Sequence, residues 1–275
     1  MSAPAIDLKR SRSWDFDAEY RAKRRLERRI WKHFARLHRQ EVSAFTTTLA
    51  TTGRLPDLEY RFGTEAQRLL GSHYRETGRI FGGRLSGRLP EDLQARDWEV
   101  REIRRRTAAI FAQRAAQQAE KISATTAKNA LQALEAVRRE AMEAAEVLTD
   151  RETALRAGAV LARRLNGRLS AITSFETQAP AEAAKRIEFE VLSGGHDVEM
   201  VKRWWSSGDH RAREWHLMAD QQERPVRQAF EVNGEKLMQP GDTTLGASLS
   251  NVINCRCSTE YDERVIEDIR RERGL

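Results

Sequence analysis

The chain has 275 residues, 40% hydrophobic and 32% charged, with a formal net charge of +7 and a pI near 9.7. That length accommodates one large or two modest domains with real cores, and the balance of apolar and charged residues argues against a disordered or membrane-embedded chain. No run of about 18 apolar residues occurs and the N-terminus lacks the apolar block of a secretory signal, so synthesis in a reducing cytoplasm is expected, with the positive charge favouring polyanions or acidic protein surfaces as partners.

From Trp14 to Ala50, Ile30, Phe34, Leu37 and Val42 recur near helical spacing among Lys23, Arg36, Arg39 and other basic residues, which predicts an amphipathic basic helix. A solvated arginine face accounts for the pattern. Contact with DNA or an acidic partner accounts for it too, with Arg21, Arg24, Arg25, Arg28 and Arg29 as the first candidates, diluted by Glu19, Glu27 and Glu41. A turn at Gly53 to Pro56 leads to a second helix, Thr64 to Phe81, broken around Gly82, Gly83 and Pro90. Gly78, Gly82, Gly83 and Gly87 lack the Lys-Ser/Thr of a phosphate loop and the preceding strand of a dinucleotide fingerprint, so they read as hinges or helix ends. Leu93 to Leu148 reads as long helices of a hairpin or bundle, with Ile103, Ile110, Ile122, Leu131, Leu134, Val137 and Val147 as core positions. Thr149 or Asp150 then caps a helix to Leu165, before Asn166 and Gly167. Another helix spans Ser170 to Leu192, with a kink or fresh start at Pro180 and an end at Gly194 and Gly195.

The composition changes after that. Val198 to Trp205 is apolar and aromatic, Asp209 to Ala219 reads as a polar helix, and Phe230 to Leu237 reads as a hairpin turning at Asn233-Gly234. Val252 to Tyr261 reads as a strand and the residues from Asp262 as a charged terminal helix. The expected class is α+β, predominantly α, with a basic helical region over 1–165 and a small α+β module over 166–275; the change in texture itself falls between 170 and 195.

Both cysteines of the chain lie in that module, at Cys255 and Cys257, too close for an unstrained mutual disulfide. On a strand they share a face, with Arg256 on the other. Three readings are open. Two thiolates with His216, and His210 or Asp220 as a fourth group, make a tetrahedral zinc site, although paired zinc cysteines are commonly separated by two to four residues rather than one. Alternatively, the thiols are buried against Trp204 or Trp205, with Arg256 paired to Asp209 or Asp242. The third reading makes a cysteine a nucleophile with His216 as base. Asp209 is placed to cap the helix after Gly208, with Arg213 and His216 following at one-turn intervals.

The ordered set Trp204, Asp209, Arg211, His216, Phe230, Val232, Gly234, Leu237, Pro240, Gly241, Asp242, Ile253, Asn254, Cys255, Arg256 and Cys257 resembles the C-terminal domain of the phage Mu F-like head morphogenesis proteins. Ala171, Ile172 and Glu176 resemble an upstream segment of that family, with Phe175 where threonine is expected. The resemblance covers about residues 165 to 261. It implies a minor capsid protein of a tailed phage, prophage or gene-transfer particle, in the virion at the portal or head interior, acting in head assembly, DNA packaging or DNA delivery. The implied partners are portal or capsid proteins, with packaged double-stranded DNA as a candidate and no membrane. No paired carboxylates, phosphate loop or complete hydrolase triad are evident, so a non-enzymatic role is expected. The alternatives are an enzyme carried in the virion that modifies host components, with Glu176, Arg211, His216 and Cys255 as its reactive set, and a nonspecific DNA-binding protein.

Overall fold

The computed structural model of the protein describes residues 16–82, 94–194 and 198–265. Four long helices come first: α1 (Phe16–Thr52), α2 (Leu58–Phe81), α3 (Asp97–Glu143) and α4 (Asp150–Leu192). Strand β1 (Val198–Trp205), α5 (Glu214–Met218), β2 (Glu223–Pro225), β3 (Phe230–Val232), β4 (Glu235–Leu237), α6 (Leu249–Val252) and β5 (Ser258–Val265) follow. The protein is therefore α+β and predominantly α. Gly83, Gly87, Pro90, Gly195 and the expected start at Trp14 lie outside the described residues. So does most of the expected terminal helix; its first residues, 262–265, instead continue β5.

Helix starts follow local chemistry. Asp57 Oδ1 accepts the Tyr60 N–H at 2.9 Å, so α2 begins before Thr64. Thr149 caps α4 in a reciprocal box: its Oγ1 accepts the Glu152 N–H at 3.3 Å and Glu152 Oε2 accepts the Thr149 N–H at 2.9 Å. Gly53, at φ 66°, ends α1 with its N–H on the Leu49 carbonyl. The residues from 97 to 143 form one helix rather than several, and Ile110, Leu131 and Val147 are exposed rather than core, while Ile103, Ile122, Leu134 and Val137 are buried. The alanines Ala115, Ala119, Ala130 and Ala133 take the buried positions of α3 instead.

Two helices were expected between 149 and 192, but α4 is continuous, so the expected division at 165/166 falls inside it. Ala154, Ala157, Leu161, Leu165 and Leu169 are all buried at helical spacing, and that burial outweighs the roughly 1 kcal/mol that Gly167 costs a helix interior. Pro180 cannot donate to the carbonyl of Glu176, four residues back. The His73 side chain hydrogen-bonds that carbonyl in its place, so the freed acceptor is satisfied.

The chain divides into two compact units, each drawing on all four long helices. One takes its described residues from positions up to 24, 77–107 and 177 onward; the other comprises 25–76 and 108–176. The second unit is all helical, with Phe34, Leu37, Phe45, Leu49, Leu70, Tyr74 and Leu161 in its core. A Cβ on Gly158 would lie 2.4 Å from Thr46 Oγ1, so glycine permits the close passage of α4 and α1. The first unit holds an antiparallel sheet in the order β2-β1-β5, with Trp204 opposite Thr259 and Trp205 opposite Ser258, and the hairpin β3-β4. Asn233 and Gly234 turn that hairpin at φ 53° and 72°, as the Asn-Gly pair predicts. Phe189, Leu192, Met200, Val226 and Tyr261 form an apolar cluster in this unit, with Phe189 stacked on Tyr261 at 4.7 Å.

In the helical unit, Glu41 is buried with one carboxyl oxygen that accepts no hydrogen bond among the described residues and lies 3.9 Å from His38 Nε2. Burial pushes its pKa up to about 8, against the opposing pull of Arg168. Between the ordinary carboxyl value and pH 8 the folded state therefore holds a proton that the unfolded state has lost, so this group makes stability fall as pH rises. Glu41→Gln mimics the protonated form. Relative to wild type it should gain about 1.4 kcal/mol per pH unit over that window and then level off, as read by urea melts at several pH values.

Candidate metal centre

The expected strand from Val252 begins only at Ser258. Val252 ends α6, and Asn254 turns the chain at φ 56°, in the left-handed region that asparagine tolerates. Cys255, Arg256 and Cys257 form the irregular link into β5. The expected helix from Asp209 is likewise shorter: Asp209 closes an Asx turn by accepting the Arg211 N–H at 3.0 Å, and α5 starts at Glu214 behind Arg213, whose side chain makes no cap. Asp209 is thus no helix cap.

These two departures still bring the predicted residues together. His216 on α5 faces both sulfurs, with Nδ1 3.7 Å from Cys255 Sγ and 3.3 Å from Cys257 Sγ. All three residues are only 2–3% exposed. The ring of Trp204 from β1 closes the cluster edge-on at 5.6 Å from the imidazole. Arg256 turns away and pairs bidentately with Asp209, which is held near pKa 2 chiefly by that hydrogen-bonded pairing.

A residue that the sequence reading passed over sets the chemistry. Asn251 on α6 donates through Nδ2 to the Val232 carbonyl at 3.0 Å and to Glu235 Oε2 at 2.9 Å, both of them acceptors. Its Oδ1 must then face donors, and it accepts from Trp215 Nε1 at 3.2 Å and from His216 Nε2 at 2.8 Å. The neutral imidazole therefore carries its proton on Nε2 and directs the Nδ1 lone pair at the sulfurs. No spacing rule links residues 216, 235 and 251, so their association was not legible in the chain.

The thiols behave as a pair. A hydrogen bond from Cys257, followed by His216, holds Cys255 well below the ordinary thiol range, and the same sulfur contact pushes Cys257 up. His216 is raised despite burial, by Cys255 and then Asn251. The Trp204 indole is a lesser influence that favours the ionised Cys257 sulfur.

The donor set fits a thiolate-loving metal. The Nδ1 and two Sγ atoms lie within 4.8 Å of one another. Around a tetrahedral zinc, neighbouring ligand atoms are roughly 3.6 to 3.8 Å apart, close to the observed nitrogen–sulfur distances. Neither expected fourth group joins them: His210 is exposed, and the Asp220 carboxylate accepts the Ser206 N–H at 2.7 Å.

Other singled-out residues have structural partners. Asp242 is buried, taking the Met238 N–H at 2.8 Å and the Thr244 N–H at 2.9 Å, so it pins the loop after β4. Pro240 and Gly241 are buried beside it, and a Cβ on Gly241 would come within 3.3 Å of Ala179. Arg211 is exposed. Glu176 is buried in the other unit, where its carboxylate accepts from the Tyr74 hydroxyl and from Arg114 at 3.1 Å. It does not join the cysteine cluster. Arg21, Arg24, Arg25, Arg28 and Arg29 are all exposed on α1, Arg29 pairing with Glu76. No helix among the described residues is long and apolar enough to cross a membrane.

Comparison of the chain with protein-family models, with curated proteins and with solved structures finds no match in any of the three.

Proposed function

We propose that this chain is a minor capsid protein of a tailed phage, prophage or gene-transfer particle, acting at the portal or head interior in head assembly, DNA packaging or DNA delivery. Its C-terminal module folds around zinc held by His216, Cys255 and Cys257. One observation carries this reading. Of the residues that resemble the Mu F-like proteins over positions 204–257, those with the most distinctive chemistry have structural tasks in a single compact unit: a metal-ready cluster, the Arg256–Asp209 clamp, the Asp242 loop pin and the Asn254 turn. Such a unit is a docking module rather than a reactive cleft.

Thiol and imidazole together favour the enzymatic alternative, but the 2–3% exposure of all three groups weighs against a substrate reaching them. The exposed arginines on α1 supply the charge that a protein needs beside packaged DNA or an acidic portal surface.

Density-purified particles released by the producing bacterium, digested and analysed by mass spectrometry, should contain the chain in few copies alongside the portal protein. Particles complete in every other head protein but lacking this chain would overturn the reading.

A further inference from the structure

In the unit of residues 25–76 and 108–176, α1 and α2 line an open groove of about 920 Å³. Arg36, Arg39 and Arg61 border it, with His33, Gln40 and Ser43 between them. The three guanidinium groups are exposed and, among the described residues, meet no carboxylate; Arg61 lies 5.5 Å over the Phe62 ring instead. The one acidic residue in the lining, Glu65, is paired to Arg68. Other exposed arginines are neutralised, Arg105 and Arg106 by Glu102 and Arg156 by Glu146. Positive charge is therefore left uncompensated around a concavity.

The groove also continues as a row. At helical spacing Arg25, Lys32 and Arg36, with Arg29 among them already paired to Glu76, lie on the α1 face that carries Gln40 and Ser43, a run of about 27 Å at 1.5 Å per residue. A linear row of cations matches a linear polyanion better than a single small anion. Duplex nucleic acid offers one negative charge per about 1.7 Å of axis, a density that an acidic polypeptide seldom reaches. Arginine forks suit phosphate oxygens, and Gln40 and Ser43 add neutral donors.

We infer that the α1–α2 groove binds the phosphodiester backbone of nucleic acid, with Arg36, Arg39 and Arg61 on phosphates. Binding is independent of base sequence, because charge and shape do the recognising. The inference does not rest on the head-protein reading, and a nucleic-acid-binding protein of any origin would satisfy it.

The test is fluorescence anisotropy of a labelled duplex with the full chain across a salt series. Arg36→Gln/Arg39→Gln/Arg61→Gln is compared with Lys121→Gln/Arg138→Gln/Arg139→Gln, which removes equal charge from the exposed face of α3, both variants being checked for wild-type melting. The groove variant should weaken binding and flatten the slope of log K against log salt by about 2 to 3, the control leaving it unchanged. An equal fall in both variants, no duplex binding by wild type, or displacement of duplex by polyglutamate at equal charge concentration would each overturn the inference. The last outcome would assign the groove to an acidic protein.

Discussion

Replacing Cys255 and Cys257 by serine should abolish bound zinc and lower the melting temperature, and the variant should then ignore both added zinc and chelator. The expectation follows from the Nδ1 lone pair that Asn251 directs at two sulfurs 3.3 and 3.7 Å away. Metal that binds only the folded state stabilises it by about 4 kcal/mol at a thousandfold excess over its dissociation constant. For a chain of this size each kcal/mol moves the melting temperature by about 2 to 4 °C, so chelation of wild type should cost on the order of 10 °C. Elemental analysis gives stoichiometry independently of stability. Metal-free wild type that melts identically with and without chelator would make these cysteines core thiols and remove zinc from the proposal. Asn251→Leu tests the same site from behind: it frees the imidazole tautomer and should weaken zinc binding by about 10- to 100-fold while leaving all three donors in place.

How much of this was legible in the chain depended on distance along it. The Asn233-Gly234 turn, the basic amphipathic α1 and the Thr149 cap are local, and each was readable from a few neighbouring residues. Continuity of α4 was not, because Gly167 and Pro180 are local breakers overridden by burial and by the His73 side chain. The cysteines and His216 were identified as a set by residue type, yet the strand assigned to Cys255 was wrong because Asn254 turns the chain just before it. Glu19 and Lys23 read as part of a charged helix face, and Glu182 and Lys185 carry no signal at all, for the opposite reason: charged residues on helices are ordinarily solvated, and here all four are buried.

That buried quartet underlies the second large effect. Glu182 Oε1 receives Lys23 Nζ at 2.6 Å, Lys185 Nζ at 2.9 Å and the Ser258 hydroxyl at 3.1 Å, and its Oε2 accepts the Thr259 N–H at 3.0 Å. Glu19 Oε1 takes the same two lysines at 2.7 and 2.9 Å. Burial opposes every one of these charges, but two ammonium groups against two carboxylates leave no net buried charge; Glu19 is held well below the carboxyl range by Lys185 and Lys23, and Lys23 is raised by Glu182 and Glu19. Glu182→Ala strands a positive charge and should cost about 3 to 5 kcal/mol in urea melts. Glu182→Ala/Lys185→Ala restores neutrality and should cost less than the sum of the single changes. Simple additivity, with Glu182→Ala below about 1 kcal/mol, would mean that the network is not coupled. The effect should also reach the metal. Ser258 and Thr259 directly follow Cys257, whose own carbonyl accepts Gln178 Nε2 from the same helix. Loosening Glu182 therefore frees the segment that presents the Cys257 sulfur, and Glu182→Ala should weaken zinc binding although it touches neither sulfur nor imidazole. An unchanged zinc affinity in folded Glu182→Ala would show that the Gln178 contact alone holds the cysteine in place.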